Sequence, residues 1–225
     1  KGLPLVTEYN PTGDTSKYPG RSTQDETYAL IEKDLSEAYA ALKEFEASEA
    51  ADAKANVAPM AEYLSSWAVV ALQARVALLK GDYATAYKKA SDVIESGVYS
   101  LTKAADYMKM WKQDESTEII FRPYCSQEEL PASTGAYYLG SDQKSADYIP
   151  TVKTLMQYSD DDIRWDAFFK VLQIEVEGSK YGCFVFNKYP GNASLQVGAT
   201  PNFAHYPKVF RLSEMYLIAA EAGSH

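Results

Sequence analysis

Few residues of this 225-residue chain could do covalent chemistry. Its two histidines are His205 and His225, and neither stands in a G-x-S-x-G nucleophile elbow or an H-E-x-x-H zinc helix. A hydrolytic triad would rest on His205 with no supporting motif, so it reads as a loop histidine beside Tyr206. Glycoside hydrolysis needs two carboxyl groups in different roles. Glu214 and Glu221 lie two turns apart on one helix face, with backbones about 10 Å from each other. Arg211, three residues before Glu214, can pair with it and keep it ionised, which disfavours a general acid. Asp160, Asp161 and Asp162 offer oxygens to a hard cation, but three adjacent carboxylates alone do not converge on one ion. Capping, and a pair between Asp162 and Arg164, is the better use of them. Cys125 and Cys183 are too few and too far apart for a zinc knuckle and read as free thiols. Asn192-Ala193-Ser194 is a formal glycosylation sequon and reads as chance. With no phosphate-cradling glycine motif either, the expectation is a non-enzyme with no catalytic residue, no metal and no cofactor.

What remains is recognition chemistry. Tyrosine occurs 18 times, against 8 phenylalanines and 3 tryptophans. Its ring offers an apolar face and a polar tip, which suits sugar rings and peptides as well as ordinary helix packing. Tyr124, Tyr137, Tyr138 and Tyr148 fall in a stretch of weak periodicity, beside Gln127, Ser141, Asp142 and Gln143. Trp165 follows Arg164 and fits either core or ligand surface. These five aromatics are the candidate ligand-binding residues, while Trp67 and Trp111 read as core. The net charge of −9 repels phosphate backbones and argues against nucleic acid. No window holds the roughly 18 apolar residues that span a bilayer.

The elements that must position these rings follow from pattern. Thr23 and Glu26 fit a capping box. Tyr28, Ile31, Leu35, Ala38, Leu42 and Phe45 then form one apolar stripe on a helix that fades near Glu46. A second helix is predicted from about Pro59 to Lys80, where Gly81 stops it. It is apolar on nearly every side, so it is buried, and Arg75 must find a partner or snorkel out. Asp82 caps a third helix, Tyr83 to Glu95. The short "KGD" link forces helices two and three into an antiparallel hairpin, with Ala74, Ala86 and Ala90 allowing close approach. Beyond Tyr99 regular structure thins out. "STEIIFRPY" is a strand candidate. "KVLQIEVEGSKYGCFVFNKY" is a hairpin with Leu172, Ile174 and Val176 on one face and Gly178-Ser179 as the turn. A short helix ends near Tyr158. A last helix carries Leu212, Met215, Tyr216 and Ala219 as its apolar stripe. The fold class is mainly α: tetratricopeptide-like helical hairpins with a loop-rich region containing a small β-hairpin.

The order of these pieces carries a resemblance. "RLSEMYLIAAEA", "ALQARVALLKGDYATAYKKASDVIESGVYSL", "STEIIF" and "YIPTVKTLMQYSDDDIRWDAFF" resemble successive segments of the SusD/RagB family of outer-membrane nutrient-binding lipoproteins. "GLPLV" and "RSTQDETYALIEKDLSEAYAAL" are similar to that family's entry into its repeat region. The chain is thus expected to form a single SusD-like domain fragment over 1–225. Residues 22–97 would form repeat-type helices, 98–206 a loop-rich region and 207–222 the signature helix, with "GSH" at 223–225 foreign to the family. The family's lipid-carrying cysteine and first segment do not precede "KGLPLV", so the chain reads as an interior piece.

The resemblance implies a surface-exposed outer-membrane lipoprotein of Bacteroidetes-type bacteria. It would capture oligosaccharide or polysaccharide, in some branches peptide, and deliver it to a TonB-dependent, SusC-like transporter. Membrane attachment would come only through a lipid anchor this chain lacks. The alternative is a tetratricopeptide-like module that binds peptide or protein and no glycan.

Overall fold

The computed structural model describes residues 2–48, 61–131, 133–142 and 144–225, with Thr134 by its backbone alone. Seven α-helices and four short strands occur among them. The chain divides into two compact units: Lys1–Pro59 with Leu64–Ser96 and Glu214–His225, and Met60–Tyr63 with Gly97–Ser213.

The first unit is helical. Helix α1 (Gln24–Glu46) opens with both halves of the capping box: Thr23 Oγ1 accepts from the Glu26 N–H at 3.1 Å, and the Glu26 carboxylate accepts from the Thr23 N–H at 2.8 Å. Its predicted stripe is half-buried from Tyr28 to Leu42, but Phe45 is exposed, so the covered face ends one turn early. Helix α2 (Ser66–Lys80) starts with Ser65 as its cap, later than expected: Pro59 lies outside the described residues, but 61–65 are turn, bend and extended backbone, not helix. The Glu46 carboxylate accepts from the Ser66 N–H and hydroxyl, both at 2.7 Å, and so places negative charge at the N-terminus of α2. Gly81 takes the left-handed conformation that ends α2, at φ 84°. Asp82 accepts from the Thr85 N–H and caps α3 (Tyr83–Glu95).

Ala74, Ala86 and Ala90 are fully buried, so α2 and α3 pack through small side chains as the pattern required. Trp67 departs from its expected core position. It is half-buried, with the Lys43 ammonium 5.7 Å from its ring centre.

The second unit holds α4 (Tyr107–Lys112), β1 (Ile119–Phe121), α5 (Val152–Leu155), α6 (Arg164–Phe168), β2 (Phe169–Val176), β3 (Ser179–Phe186) and β4 (Phe210–Arg211). Strand β1 pairs antiparallel with β4, matching Ile119 to Arg211. Strands β2 and β3 form the expected hairpin, in register from Phe169↔Phe186 to Val176↔Ser179. Its turn is Glu177-Gly178, not Gly178-Ser179. Both turn residues have positive φ, 49° and 79°, the twist a two-residue hairpin loop favours. Ile174 and Val185 are buried against Leu139 and Phe203, with Leu172 packed beside them. Val176, at the turn, lies beyond that cover and is exposed. Trp111 is core as expected, packed with Met110 and Ala167.

The final helix α7 (Leu212–Ala222) follows β4 directly. Its buried stripe is Leu212, Met215, Ile218 and Ala222; Tyr216, expected inside, is exposed. Spacings of three, three and four hold that set on one face, whereas Tyr216 follows Met215 immediately and points some 100° away.

Candidate functional site

The groups with catalytic types are already engaged. His205 is buried, and its Nε2 accepts from the Gly191 N–H at 2.7 Å, so the ring proton sits on Nδ1 and is donated to Asp114 at 3.0 Å. The Asp114 carboxylate also receives the Asn192 amide at 2.7 Å, the Tyr206 N–H at 3.2 Å and the Lys208 ammonium. Burial pushes the Asp114 carboxyl up, but the His205 hydrogen bond and the Lys208 charge outweigh it and hold it at about 2. Asp114 itself sits at φ 58° just beyond α4, a conformation Asp tolerates better than most residues. Every donor and acceptor of this His–Asp pair is therefore spent on joining the segments at 114, 192 and 205–208.

The carboxylates tell the same story. Glu214 does not pair with Arg211. Arg75 holds it in a two-point bond, 2.6 and 2.7 Å, and so finds the partner a cation on a buried helix requires. Arg211 instead donates to Glu118 at 2.9 Å, because the β1–β4 pairing brings those residues side by side. Asp162 pairs with Arg164 as expected, accepting from its backbone N–H and guanidinium; those bonds hold the Asp162 carboxyl at about 2. Among the described residues no three His, Cys, Asp or Glu side chains are grouped to hold a metal ion. Cys125 and Cys183 are both free thiols.

The five candidate aromatics separate into two sets. Tyr124, Tyr137 and Tyr148 stand well exposed, and no ring contact among the described residues joins them. Tyr138 and Trp165 are half-buried on the hairpin: Tyr138 lies 5.1 Å from Phe186, and Trp165 lies 5.3 Å from Phe169 and 5.5 Å from Phe184. Phe169 and Phe186 face each other in register, so these two candidates belong to one continuous aromatic ledge. The polar neighbours are mostly spent. Gln127 donates to the Ser194 and Gln196 carbonyls, Asp142 caps its own turn at Lys144 and Ser145, and Gln143 lies outside the described residues.

Pattern reading missed Tyr158. Its ring packs edge-on against Trp165 at 6.3 Å and Phe169 at 5.1 Å, and the Arg164 guanidinium lies 5.0 Å from its centre. Together with Lys153, Thr154 and Gln157 it lines an open hollow of about 360 Å³. Helix α5, capped by Thr151, supplies Lys153 and Thr154, and the turn that follows it supplies Gln157 and Tyr158. An aromatic ring with an amide, a hydroxyl and an ammonium around it can cover an apolar face and hydrogen-bond a polar rim. The available signal is the spacing Lys153, Thr154, Gln157 ahead of a tyrosine; the helix expected to end near Tyr158 ends at Leu155, and the turn after it carries Gln157 and Tyr158.

The same arrangement of elements recurs in solved structures. A SusD superfamily protein from Bacteroides thetaiotaomicron VPI-5482 matches 99% of this chain at 26% identity and a TM-score of 0.71. The chain is SusD-like in fold. A SusD-like carbohydrate binding protein from Bacteroides vulgatus ATCC 8482 shares that fold at 20% identity and a TM-score of 0.69. Surface glycan-binding protein A from Bacteroides uniformis does so at 16% and 0.64. Each match covers 99% of this chain, yet this SusD-like chain spans only 47%, 44% and 50% of the three, about half their length. No protein-family model and no curated protein matches the sequence. Among the described residues no helix is long and apolar enough to cross a membrane.

Proposed function

We propose that this chain is part of a glycan-capturing protein that holds its ligand without covalent chemistry. The observation that carries the reading is the aromatic ledge of Trp165, Tyr158 and Tyr138 beside an open hollow, on a fold shared with a carbohydrate binding protein and a surface glycan-binding protein. Rings of the ledge stack on the apolar faces of sugars, and Thr154, Gln157 and Lys153 bond their hydroxyls. Exposed Tyr124, Tyr137 and Tyr148 extend the contact along the glycan. In the same reading the parent protein is a lipid-anchored, surface-exposed outer-membrane lipoprotein. It passes its ligand to a TonB-dependent, SusC-like transporter and catalyses nothing. Calorimetry with a panel of soluble polysaccharides tests this: at least one binds, and Trp165→Ala with Tyr158→Ala abolishes it. Binding that survives this pair and also Tyr137→Ala with Tyr138→Ala removes the site. No binding to any polysaccharide removes the function.

A second reading, a peptide-binding helical module, has one observation in its favour. Glu32, Gln73, Lys80, Asp82 and Lys89 line a hollow of about 300 Å³ in the helical unit, where the Gln73 side-chain oxygen is buried with no hydrogen-bond partner among the described residues. Peptide binding that is lost on Gln73→Leu and untouched by Trp165→Ala would favour it.

A further inference from the structure

Lys188 differs from the two other cations over the Trp111 ring. Its ammonium lies 4.7 Å from the centre of the Trp111 ring, 4.8 Å from that of Phe168 and 5.9 Å from that of Tyr189. The same indole already has the Lys208 ammonium at 5.3 Å and the Arg211 guanidinium at 5.2 Å. Those two are neutralised, Lys208 by Asp114 and Arg211 by Glu118. Lys188 is half-buried and, among the described residues, no carboxylate lies within ion-pair distance of it. Its proton is held less firmly than a free lysine's, because burial strips water from the charge and Arg211 and Lys208 repel it.

An aromatic face attracts a cation, but three cations around one indole repel one another. Coverage of the Trp111 ring is already met by the two paired ones. The third brings desolvation and repulsion that, among the described residues, ring contacts offset in part and no carboxylate neutralises. The cost persists in a protein whose net charge is −9, where carboxylates are plentiful. The Lys188 ammonium has no counter-charge among the described residues.

The Phe168 ring under Lys188 lies 6.3 Å from the Tyr158 ring, which lines the hollow beside Trp165. The ammonium is thus one ring removed from Tyr158, with Phe168 between them. We propose that Lys188 anchors an anionic substituent, a carboxylate or a sulfate, on a glycan held by the Tyr158–Trp165 ledge. This rests on the glycan reading above and narrows it to acidic glycans. The bound anion would cancel the surplus charge around Trp111, and as a compact ammonium Lys188 suits either oxyanion.

The test is calorimetry on the whole chain in physiological salt with polygalacturonate, chondroitin sulfate and a neutral xyloglucan. Lys188→Met and Lys188→Arg are compared with the unchanged chain, each shown to fold by its thermal transition. At least one acidic polymer binds more tightly than xyloglucan; polygalacturonate alone names the carboxylate, chondroitin sulfate alone the sulfate. Lys188→Met weakens acidic binding by about tenfold, the worth of one charge-assisted hydrogen bond. Lys188→Arg retains most of it, and residual neutral binding is unchanged in both. Acidic binding indifferent to Lys188→Met, or xyloglucan bound as well as the acidic polymers, overturns the inference and leaves the glycan reading standing. Failure of all polysaccharides overturns both.

Discussion

The helical unit and the loop-rich unit are held together by different means. In the helical unit charge stays near the surface: Lys80 bonds Glu32 at 2.6 Å with both side chains well exposed, and Arg75 bonds Glu214 with both about a third exposed. Its interior is Ala68, Val70, Ala71, Ala74, Ala86, Ala90 and Val93, with helices satisfying their own backbones. In the loop-rich unit two carboxylates lie at the centre. Asp114 collects His205, Lys208, Asn192 and the Tyr206 N–H, while Glu118 collects Arg211 and Thr102. Where ladders are short, irregular backbone needs another source of hydrogen bonds, and a buried carboxylate can serve several donors at once. Stability there is concentrated in a few groups; in the helices it is spread over many.

That contrast can be broken by substitution. Asp114→Ala removes one partner of a buried charge network and leaves Lys208 without its carboxylate, so it should destabilise the chain by about 3–5 kcal/mol, read by denaturant unfolding followed through tryptophan fluorescence. A loss under about 1 kcal/mol would show that Asp114 does not bear the load, against the usual cost of breaking such a pair.

Acid offers the second test. The Asp114 carboxyl is depressed from 3.8 to about 2 in the folded chain. A depressed carboxyl stabilises fully above its unfolded value and loses that contribution as pH falls through the folded one. About 2 kcal/mol should therefore disappear between about pH 4 and pH 2. In Asp114→Asn that part of the acid sensitivity should vanish, whereas an unchanged acid profile would place the proton uptake on other carboxylates.

In the helical unit, Ala90→Leu forces a larger side chain between α2 and α3 and should cost about 1–3 kcal/mol, measured as the shift in the far-UV circular dichroism transition. Little change would mean that the helices separate easily and that the three buried alanines are not needed for close approach. The smallest effect belongs to Thr23→Ala, which deletes the side-chain half of the capping box at an expected cost of about 1 kcal/mol by the same measurement. A loss as large as that of Asp114→Ala would erase the difference between a distributed and a concentrated architecture.

Several caps, helix ends and the hairpin are legible in the sequence because they follow from neighbours within four residues, whereas the start of α2 at Ser66 and the end of α5 at Leu155 are not. Thr23 and Glu26, Gly81, Asp82, the alternation through Ile174 and the Asp162–Arg164 pair all behave as their spacing requires. The errors have the same origin. The turn moved by one residue to Glu177-Gly178 because register is set by pairing across the strands, not by glycine alone. Spacing offers Glu214 to Arg211, but Arg211 lies in β4, where strand pairing gives it Glu118 and leaves Glu214 to Arg75, 139 residues distant in sequence.

For the candidate site, composition pointed to exposed tyrosines, and Tyr124, Tyr137 and Tyr148 are exposed. Composition could not say that Tyr138 and Trp165 would share a ledge through Phe169 and Phe186, nor that Tyr158 would join it. Local spacing thus determined the helices, their caps and the hairpin, because those depend on periods of two and 3.6 residues. Only tertiary structure decided which charges are neutralised and which, like Lys188, are not, since an ion pair depends on distance in space and its partners here lie tens of residues apart along the chain.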